Sequence, residues 1–225
     1  MTKPPMISAR GLQKSYKTGE VEVQALRGVD LDVAAGEFVA IVGPSGSGKS
    51  TLFHILGGLT PPTKGSVSLA GTELGSISEA GRTELRKKTV GFVFQKYNLL
   101  PTLTARENIA IARDIAGFKG PLPKATEAIL QLLGLSDRLD HKPRAMSGGE
   151  QQRVAIARAV VNHPAILLAD EPTGNLDTEN SIIVLGLLRE LNHRFGQTIL
   201  MITHNPEAAA YADRIVTMRD GRIAA

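Results

Sequence analysis

Short apolar runs alternate with longer amphipathic segments through much of this chain. The runs are rich in β-branched residues and are too short for helices, so they predict buried strands. Helices are expected over residues 51–56 and 178–195, and Asn205-Pro206-Glu207 predicts the capped start of a short one. Strands that alternate with helices predict an α/β fold with a mostly parallel sheet and a ligand at the carboxyl ends of its strands. The predicted strands are Phe38–Val42, Val90–Gln95, Ile166–Ala169 and Thr198–Thr203.

The first third of the chain has a different pattern. Residues 7–16, 21–33 and 65–71 show partial alternation of apolar and polar positions, and a turn at residues 17–20 separates the first two. This pattern predicts a small N-terminal antiparallel β subdomain beside the parallel sheet.

Residues 96–160 are mainly helical in character. Thr104 and Glu107 form a capping box that opens a helix towards Ala116. Pro123 suits the first turn of a second helix, which runs to Leu133 and stops at Gly134. We therefore predict a single domain over residues 1–225, with a core from residues 1–95 and 161–225 and an inserted α-helical subdomain from residues 96–160.

Composition narrows the possible functions only slightly. Hydrophobic residues make up 42% of the chain and charged residues 21%, and the formal net charge is +4. These values are ordinary for a globular protein, and the mild charge suits either an anionic ligand or a membrane surface. The absence of cysteine excludes disulfides, thiolate metal sites and cysteine nucleophiles.

Membrane insertion is not expected from the sequence. The first five residues lack the apolar region of a signal peptide, and no apolar run approaches the roughly 20 residues that span a bilayer. Any work at a membrane is therefore expected to involve a partner.

A glycine-rich loop between a predicted strand and a predicted helix carries the strongest chemical signal. Successive backbone N–H groups of such a loop can surround a polyphosphate, and the helix N-terminus adds a favourable field. Lys49 would reach the β- and γ-phosphates, and the hydroxyl of Ser50 would ligate Mg²⁺. The sequence therefore predicts that the chain binds a nucleoside triphosphate. The predicted binding segment is Gly43, Pro44, Ser45, Gly46, Ser47, Gly48, Lys49, Ser50 and Thr51.

Two acids end the apolar strand that begins at Ile166. Asp170 would hold Mg²⁺, through a water, and Glu171 would polarise the attacking water. Adjacent carboxylates at a strand end also cap helices or face solvent. Only the glycine-rich loop of residues 43–51, called the phosphate loop below, favours the catalytic interpretation.

The segment Met146–Arg153 contains a serine, two glycines and a glutamate in succession. Ser147 and Glu150 form a capping box, so the segment could simply be a well-made helix start. Gly148 and Gly149 are nevertheless poor helix formers that leave backbone N–H groups bare, which suits a second anion site. Two phosphate sites in one chain are explained if one triphosphate lies between two copies.

With these motifs, essentially the whole chain resembles the ATP-binding cassette (ABC) ATPases, which have a P-loop NTPase (RecA-like) core. The resemblance implies that Ser147, Gly148 and Gly149 of one copy close on the triphosphate that the other copy holds. Tyr16 matches the aromatic residue that stacks on adenine, although an exposed strand tyrosine is an equal alternative.

Three further residues match family positions. The resemblance implies that Gln95 touches Mg²⁺ and the attacking water, and that His204 contacts the γ-phosphate. It also implies that Asp177 lies in a loop that crosses to the opposite subunit. The cofactors implied are ATP and Mg²⁺, and the catalytic residues are Lys49, Gln95, Glu171 and His204.

The amino-acid sequences of several motifs are similar to those of the lipoprotein-releasing and macrolide-exporting subfamily, notably in residues 57–59, 97–101 and 169–177. The resemblance implies a peripheral protein on the cytoplasmic face of the inner membrane, which drives an integral membrane permease subunit and forms a homodimer on binding ATP. A helix of that permease would enter the groove near Gln95 and Lys96–Pro101. The cations of residues 82–88 could lie near lipid headgroups, or form a solvated helix face.

Other functions stay open at this point. The chain could serve a cell-division-type complex that regulates cell-wall hydrolases without transporting a substrate. A soluble ABC ATPase that acts on DNA or ribosomes is not expected, because such relatives carry a coiled-coil insert or two cassettes; no nucleic acid partner is predicted. A phosphate-loop kinase is disfavoured by residues 146–153.

Overall fold

The computed structural model describes residues 5–19, 21–120 and 124–224. The expectations for residues 1–4, Glu20 and Pro123 lie outside this part of the chain. Elements are numbered here in chain order. The strands are β1 (Ile7–Thr18), β2 (Val21–Val33), β3 (Phe38–Val42), β4 (Lys64–Leu69), β5 (Thr72–Glu73), β6 (Val90–Phe94), β7 (Ile166–Asp170), β8 (Thr198–Ile202), β9 (Arg214–Arg219) and β10 (Arg222–Ile223). The helices are α1 (Lys49–Leu56), α2 (Glu79–Thr89), α3 (Ala105–Ile115), α4 (Lys124–Leu132), α5 (Gly148–Val160), α6 (Thr178–Phe195) and α7 (Pro206–Ala209).

Two sheets form the architecture. A four-stranded antiparallel sheet has the order β2-β1-β4-β5, and a six-stranded sheet has the order β10-β9-β3-β8-β7-β6. In the larger sheet β3 pairs in parallel with both β8 and β9, β7 pairs in parallel with β6 and β8, and only β10 is antiparallel. The predicted α/β class, with an antiparallel N-terminal sheet and a mostly parallel sheet, is therefore confirmed.

The central strands bury both faces, which explains why they read as continuous apolar runs. Alternate residues of β3 point to opposite sides: Val39 and Ile41 face α1 and the antiparallel sheet, whereas Phe38 and Ala40 face α3, α5 and α6. Because strands on both sides of β3 run parallel to it, their carboxyl ends meet at one edge of the sheet.

Helix boundaries follow the predicted caps. The capping box of Thr104 and Glu107 is present at the start of α3, and Asn205 caps α7 through the N–H groups of Glu207 and Ala208. The helix predicted over residues 178–195 is confirmed as α6, which ends at Gly196 with a φ of 64°. Between β6 and β7 the described residues form α3, α4, α5 and short 3₁₀ turns.

The hairpin of β9 and β10 was missed by the sequence analysis. Its signal is an alternation in β9, where Val216 and Met218 are buried between exposed neighbours. The hairpin reaches the phosphate loop directly, because the N–H of Gly221 donates to the carbonyl of Ser47 at 3.0 Å.

Candidate active site

The loop that joins β3 to α1 lies at the carboxyl edge of the parallel sheet, and its glycines are needed for steric reasons. A Cβ at Gly43 would overlap the carbonyl oxygen of Met218. Gly48 has a φ of 100°, and a Cβ there would lie 2.6 Å from the carbonyl oxygen of Ala25. The backbone therefore approaches both β2 and β9 more closely than any other residue type permits.

The N-terminus of α1 has no side chain that satisfies its backbone. Gly48 is the N-cap and offers no side-chain acceptor, and the first turn contains no acidic residue. The first N–H groups of a helix have no partner within the helix and carry partial positive charge. This end of α1 is therefore suited to an anion.

Lys49 lies beside those N–H groups and is only 8% exposed. Its Nζ donates to the carbonyl oxygens of Gly43 at 2.7 Å and Pro44 at 2.9 Å. The loop backbone thus holds the ammonium group in place at the mouth of the site, where it adds a full positive charge to the field of the helix.

Two acids face the loop from the end of β7. Burial and the neighbouring charge of Glu171 raise the pKa of Asp170, while His54 and Lys49 act in the opposite direction. A nearby cation would relieve both unfavourable effects on the ionised form. Hydroxyl and carboxylate oxygens are ligands that Mg²⁺ prefers, so Ser50 and Asp170 fit this ion.

Glu171 has a φ of 47°, in the left-handed region that non-glycine residues rarely adopt. Such a conformation costs about 1–3 kcal/mol and persists only when the surroundings enforce it. The N–H of Glu171 donates to the carbonyl of Ile202 at 2.9 Å, and its own carbonyl accepts from Gly174 at 3.0 Å. Its Oε1 lies 2.8 Å from Nδ1 of His204, whose side chain is mostly exposed.

These groups line one cavity of about 570 Å³. The predicted site residues in its wall are Ser45, Gly46, Gly48, Lys49, Ser50, Thr51, Asp170, Glu171 and His204. Ala25 and Ile202 also line it and were not predicted, since a single apolar residue in a strand carries no chemical signal. Gly43, Pro44 and Ser47 belong to the loop but lie outside the wall; the first two hold Lys49, and Ser47 is buried.

Gln95 is not in the wall of this cavity. Its Nε2 donates to Oδ1 of Asn175 at 3.1 Å, and Nδ2 of Asn175 donates to the carbonyl of Gln95 at 3.1 Å. A Cβ at Gly174 would lie 2.7 Å from Nε2 of Gln95. The exits of β6 and β7 are therefore locked together, and the role of Gln95 towards Mg²⁺ stays a prediction.

Tyr16 is exposed in β1 and is paired with Val23 of β2. The ammonium of Lys14 lies 5.2 Å from the centre of its ring. Tyr16 is outside the wall of the cavity, so its stacking on adenine also stays a prediction.

The predicted capping box at the start of α5 is present, with Ser147 accepting from the N–H of Glu150 at 3.2 Å. Ser147 is exposed and Gly148 half-buried, whereas Gly149 is buried. A Cβ at Gly148 would lie 2.8 Å from the hydroxyl of Tyr97, and one at Gly149 would overlap the side chain of Asn180. The glycine pair thus has a packing reason that the sequence did not reveal.

Asp177 caps α6 by accepting from the N–H of Asn180 at 2.8 Å. The same hydrogen bond lowers the pKa of this exposed carboxyl. Asn180 therefore connects the start of α6 with the start of α5, because its side chain also fills the space above Gly149.

The described residues contain no group of three or more His, Cys, Asp or Glu side chains that could hold a metal. A Mg²⁺ ion in this cavity would therefore need phosphate oxygens or waters besides its protein ligands. None of the helices described is both long enough and apolar enough to cross a bilayer.

Comparisons with known proteins agree with this geometry. The family described as ABC transporter matches residues 26–174. The macrolide export ATP-binding/permease protein MacB of Chlorobium luteolum is 48% identical over 97% of this chain, which spans 33% of that protein. The lipoprotein-releasing system ATP-binding protein LolD 2 of Caulobacter vibrioides is 49% identical, with 97% of this chain and 96% of that protein covered.

A solved structure covers nearly the whole fold. The dimeric post-hydrolysis state of the ATP-binding cassette MJ0796, bound to ADP and Pi, matches with a TM-score of 0.86 at 38% identity. The match covers 98% of this chain and 97% of that chain.

Proposed function

The chain belongs to the ABC transporter family, and we propose that it is the motor subunit of a transporter, acting as a head-to-tail dimer on a separate membrane-spanning permease. Family membership makes it an ATP-binding ATPase, as predicted. The observation that carries the proposal is the cavity in which Lys49, Glu171 and His204 meet beside the open N-terminus of α1.

The phosphates of ATP occupy the glycine-rich end of this cavity. Lys49 exchanges its carbonyl acceptors for β- and γ-phosphate oxygens, and the N–H groups at the start of α1 donate to the same anion. Ser50 and Asp170 would hold Mg²⁺, with Gln95 as a further contact. A bound Mg²⁺ would neutralise charge on the phosphate oxygens.

Glu171 accepts a proton from the attacking water, whose oxygen bonds to the γ-phosphorus while the bond to the β-phosphate oxygen breaks. ADP and inorganic phosphate are the products. His204 contacts the γ-phosphate and, through Nδ1, orients the carboxylate of Glu171. Positioning and charge neutralisation thus provide most of the catalysis.

The opposite copy completes the site. Its Ser147, Gly148 and Gly149 close on the γ-phosphate, and its Asp177 lies in the crossing loop, while Tyr16 stacks on adenine. The exposure of Ser147 supports this arrangement. The dimeric cassette MJ0796 bound to ADP and Pi supports it as well. A lone subunit therefore hydrolyses ATP poorly.

A second surface fits the membrane partner. A groove of about 530 Å³ lies between α2, β6, α3 and α5, and its wall is mostly apolar. Leu100 and Ile115 of this wall are strongly exposed. Arg158 donates to the carbonyls of Tyr97 and Asn98, which joins the loop after β6 to α5. A permease helix seated here would move with residues 96–160 as a helical subdomain.

The relatives suggest which partner to expect. Their names describe macrolide export and lipoprotein release. We place this chain in the same subfamily, at the cytoplasmic face of the inner membrane, and assign its permease to the export or lipoprotein-extraction type.

Co-purification from detergent extracts of the native host tests this function. The tagged chain should retain a transporter-like membrane protein, and Ile115→Asp should lose it because the charge enters the apolar groove. Ile215→Asp is the matched control, since Ile215 is also strongly exposed but lies on β9. Capture of a cell-division protein instead would favour the alternative function, in a complex that regulates cell-wall hydrolases without transport. Equal retention of the membrane protein by both variants would contradict docking in this groove.

A further inference from the structure

Helix α5 carries a fully buried amide that points at the catalytic edge of the sheet. Gln152 is 0% exposed, and its Nε2 donates to the carbonyl oxygen of Pro172 at 2.6 Å. The same group lies 3.4 Å from the carbonyl oxygen of Phe94. Gln152 therefore bridges, from α5, the exits of β7 and β6.

The contact with Pro172 matters because Pro172 directly follows Glu171. Glu171 has a φ of 47°, so the turn must be held by its surroundings. Its hydrogen bonds to Ile202 and Gly174 come from the backbone of the core and of the turn itself. Pro172 has no N–H, and the hydrogen bond that its carbonyl accepts from Gln152 anchors this residue to α5.

The helix that carries Gln152 is also the one that begins at Ser147. An α-helix behaves as a rigid rod over this length because each turn is fixed by backbone hydrogen bonds. Gln152 therefore joins this helix to the turn that carries Glu171.

Within the described residues, the side-chain amide of Gln152 makes hydrogen bonds through its nitrogen only, whereas a purely structural buried amide is expected to make them through both of its polar atoms. Oε1 of Gln152 is buried without a hydrogen-bond partner in the described protein, and burying such an acceptor is unfavourable. Loss of the amide would remove this unfavourable group together with the donor to Pro172, so the two effects on folding oppose each other.

We infer that Gln152 is a positioning residue for Glu171: its hydrogen bond to the Pro172 carbonyl fixes the strained turn so that the carboxylate faces the γ-phosphate. The inference depends on the proposed role of Glu171 in hydrolysis. It predicts that Gln152 affects the rate of the chemical step and not the binding of ATP.

Gln152→Met tests this, since methionine has nearly the same shape and no N–H. We expect kcat for ATP hydrolysis by the full chain to fall by about tenfold or more, because small displacements of a catalytic group are costly. KM for ATP and the unfolding temperature should stay near those of the wild type. Gln152→Leu should behave in the same way.

Gln151→Met is the matched control. Gln151 is the preceding residue of α5, but its Nε2 donates to the carbonyl of Met146 at 3.1 Å, just before the N-cap of the same helix. Its kcat should stay within about twofold of the wild type. A kcat for Gln152→Met equal to that of Gln151→Met would overturn the inference.

A second measurement separates positioning from a structural role. In the Glu171→Gln background, adding Gln152→Met should leave binding of a fluorescent ATP analogue and ATP-dependent dimerisation unchanged. Loss of either would show that Gln152 maintains the fold of the site and would overturn the inference. Turnover by Glu171→Gln alone, at the wild-type rate, would instead contradict the proposed role of Glu171.

Discussion

Lys49 illustrates how much of the site is already organised by single residues. Its ammonium group is buried and held by two loop carbonyls, at the end of a helix that offers bare N–H groups. Those carbonyls carry no net charge, so phosphate oxygens are stronger partners because they add the attraction between two opposite full charges to the hydrogen bond. The lysine is therefore poised to exchange them for the anion.

Lys49→Ala should weaken nucleotide binding because it removes the cation that faces the phosphates. Each charge-assisted hydrogen bond contributes about 1.5–3 kcal/mol, so we expect the Kd for a fluorescent ATP analogue to rise by about 10- to 100-fold. Lys119→Ala, at an exposed position, is the control for a simple change in net charge. Undiminished binding by Lys49→Ala would rule out its contact with the phosphates.

Sequence predicts some residues of this site better than others. Lys49 and Asp170 were each predicted from a motif within one continuous stretch of chain, and both line the cavity. The pairing of Gln95 with Asn175 and the burial of Gln152 depend on contacts between distant segments, and an isolated amide in a sequence does not indicate its partner. Ala25 was missed for the same reason.

At the scale of elements, the close contact between α5 and α6 organises the exposed Ser147 motif. The side chain of Asn180 occupies the space that a Cβ of Gly149 would need, and its Nδ2 donates a hydrogen bond to the carboxylate of Asp177. Sequence predicted the start of α5 from its capping box and the bounds of α6, but the fit between them is a packing property that no local pattern encodes.

Gly149→Ala should lower the unfolding temperature by several degrees, because the new Cβ overlaps the side chain of Asn180 and such overpacking costs about 1–3 kcal/mol. Gly186→Ala is the matched control: it lies inside α6 with no atom near the new Cβ. It should be neutral or stabilising, since alanine is the better helix former. Equal unfolding temperatures for the two variants would contradict the packing account.

Ser147→Arg should leave ATP binding intact and stop turnover, because in the proposed dimer the bulky side chain would lie where the opposite copy's nucleotide docks. Ser78→Arg controls for loss of a helix cap, since Ser78 caps α2 through the N–H of Gly81. Both variants lose about 1 kcal/mol of capping. If Ser147→Arg and Ser78→Arg reduce turnover equally in an ATPase assay, Ser147 is a helix cap and nothing more.

At the scale of the whole molecule, the mostly parallel sheet brings the parts of the candidate site together. It gathers the exits of β3, β6, β7 and β8 at one edge, and two apolar cores fix its faces against the surrounding helices and the antiparallel sheet. The sheet order and the β9–β10 hairpin were not predictable in detail, because strand partners far apart in sequence leave no local signature.

The proposed function requires that each nucleotide is held by two copies of the chain. Within one copy, the cavity contains the phosphate loop and the carboxylates, whereas Ser147 is exposed and lies outside its wall. In the proposed dimer a second copy completes the field around the γ-phosphate, and hydrolysis should reopen the pair.

The most direct test is the mass of Glu171→Gln in solution, measured by size-exclusion chromatography with light scattering. With ATP and Mg²⁺ the variant should form a stable dimer, because it binds the nucleotide but its amide cannot accept a proton from water. Without nucleotide, or with Ser147→Arg added, it should stay monomeric. A monomer that retains bound ATP at saturating nucleotide would contradict the shared site.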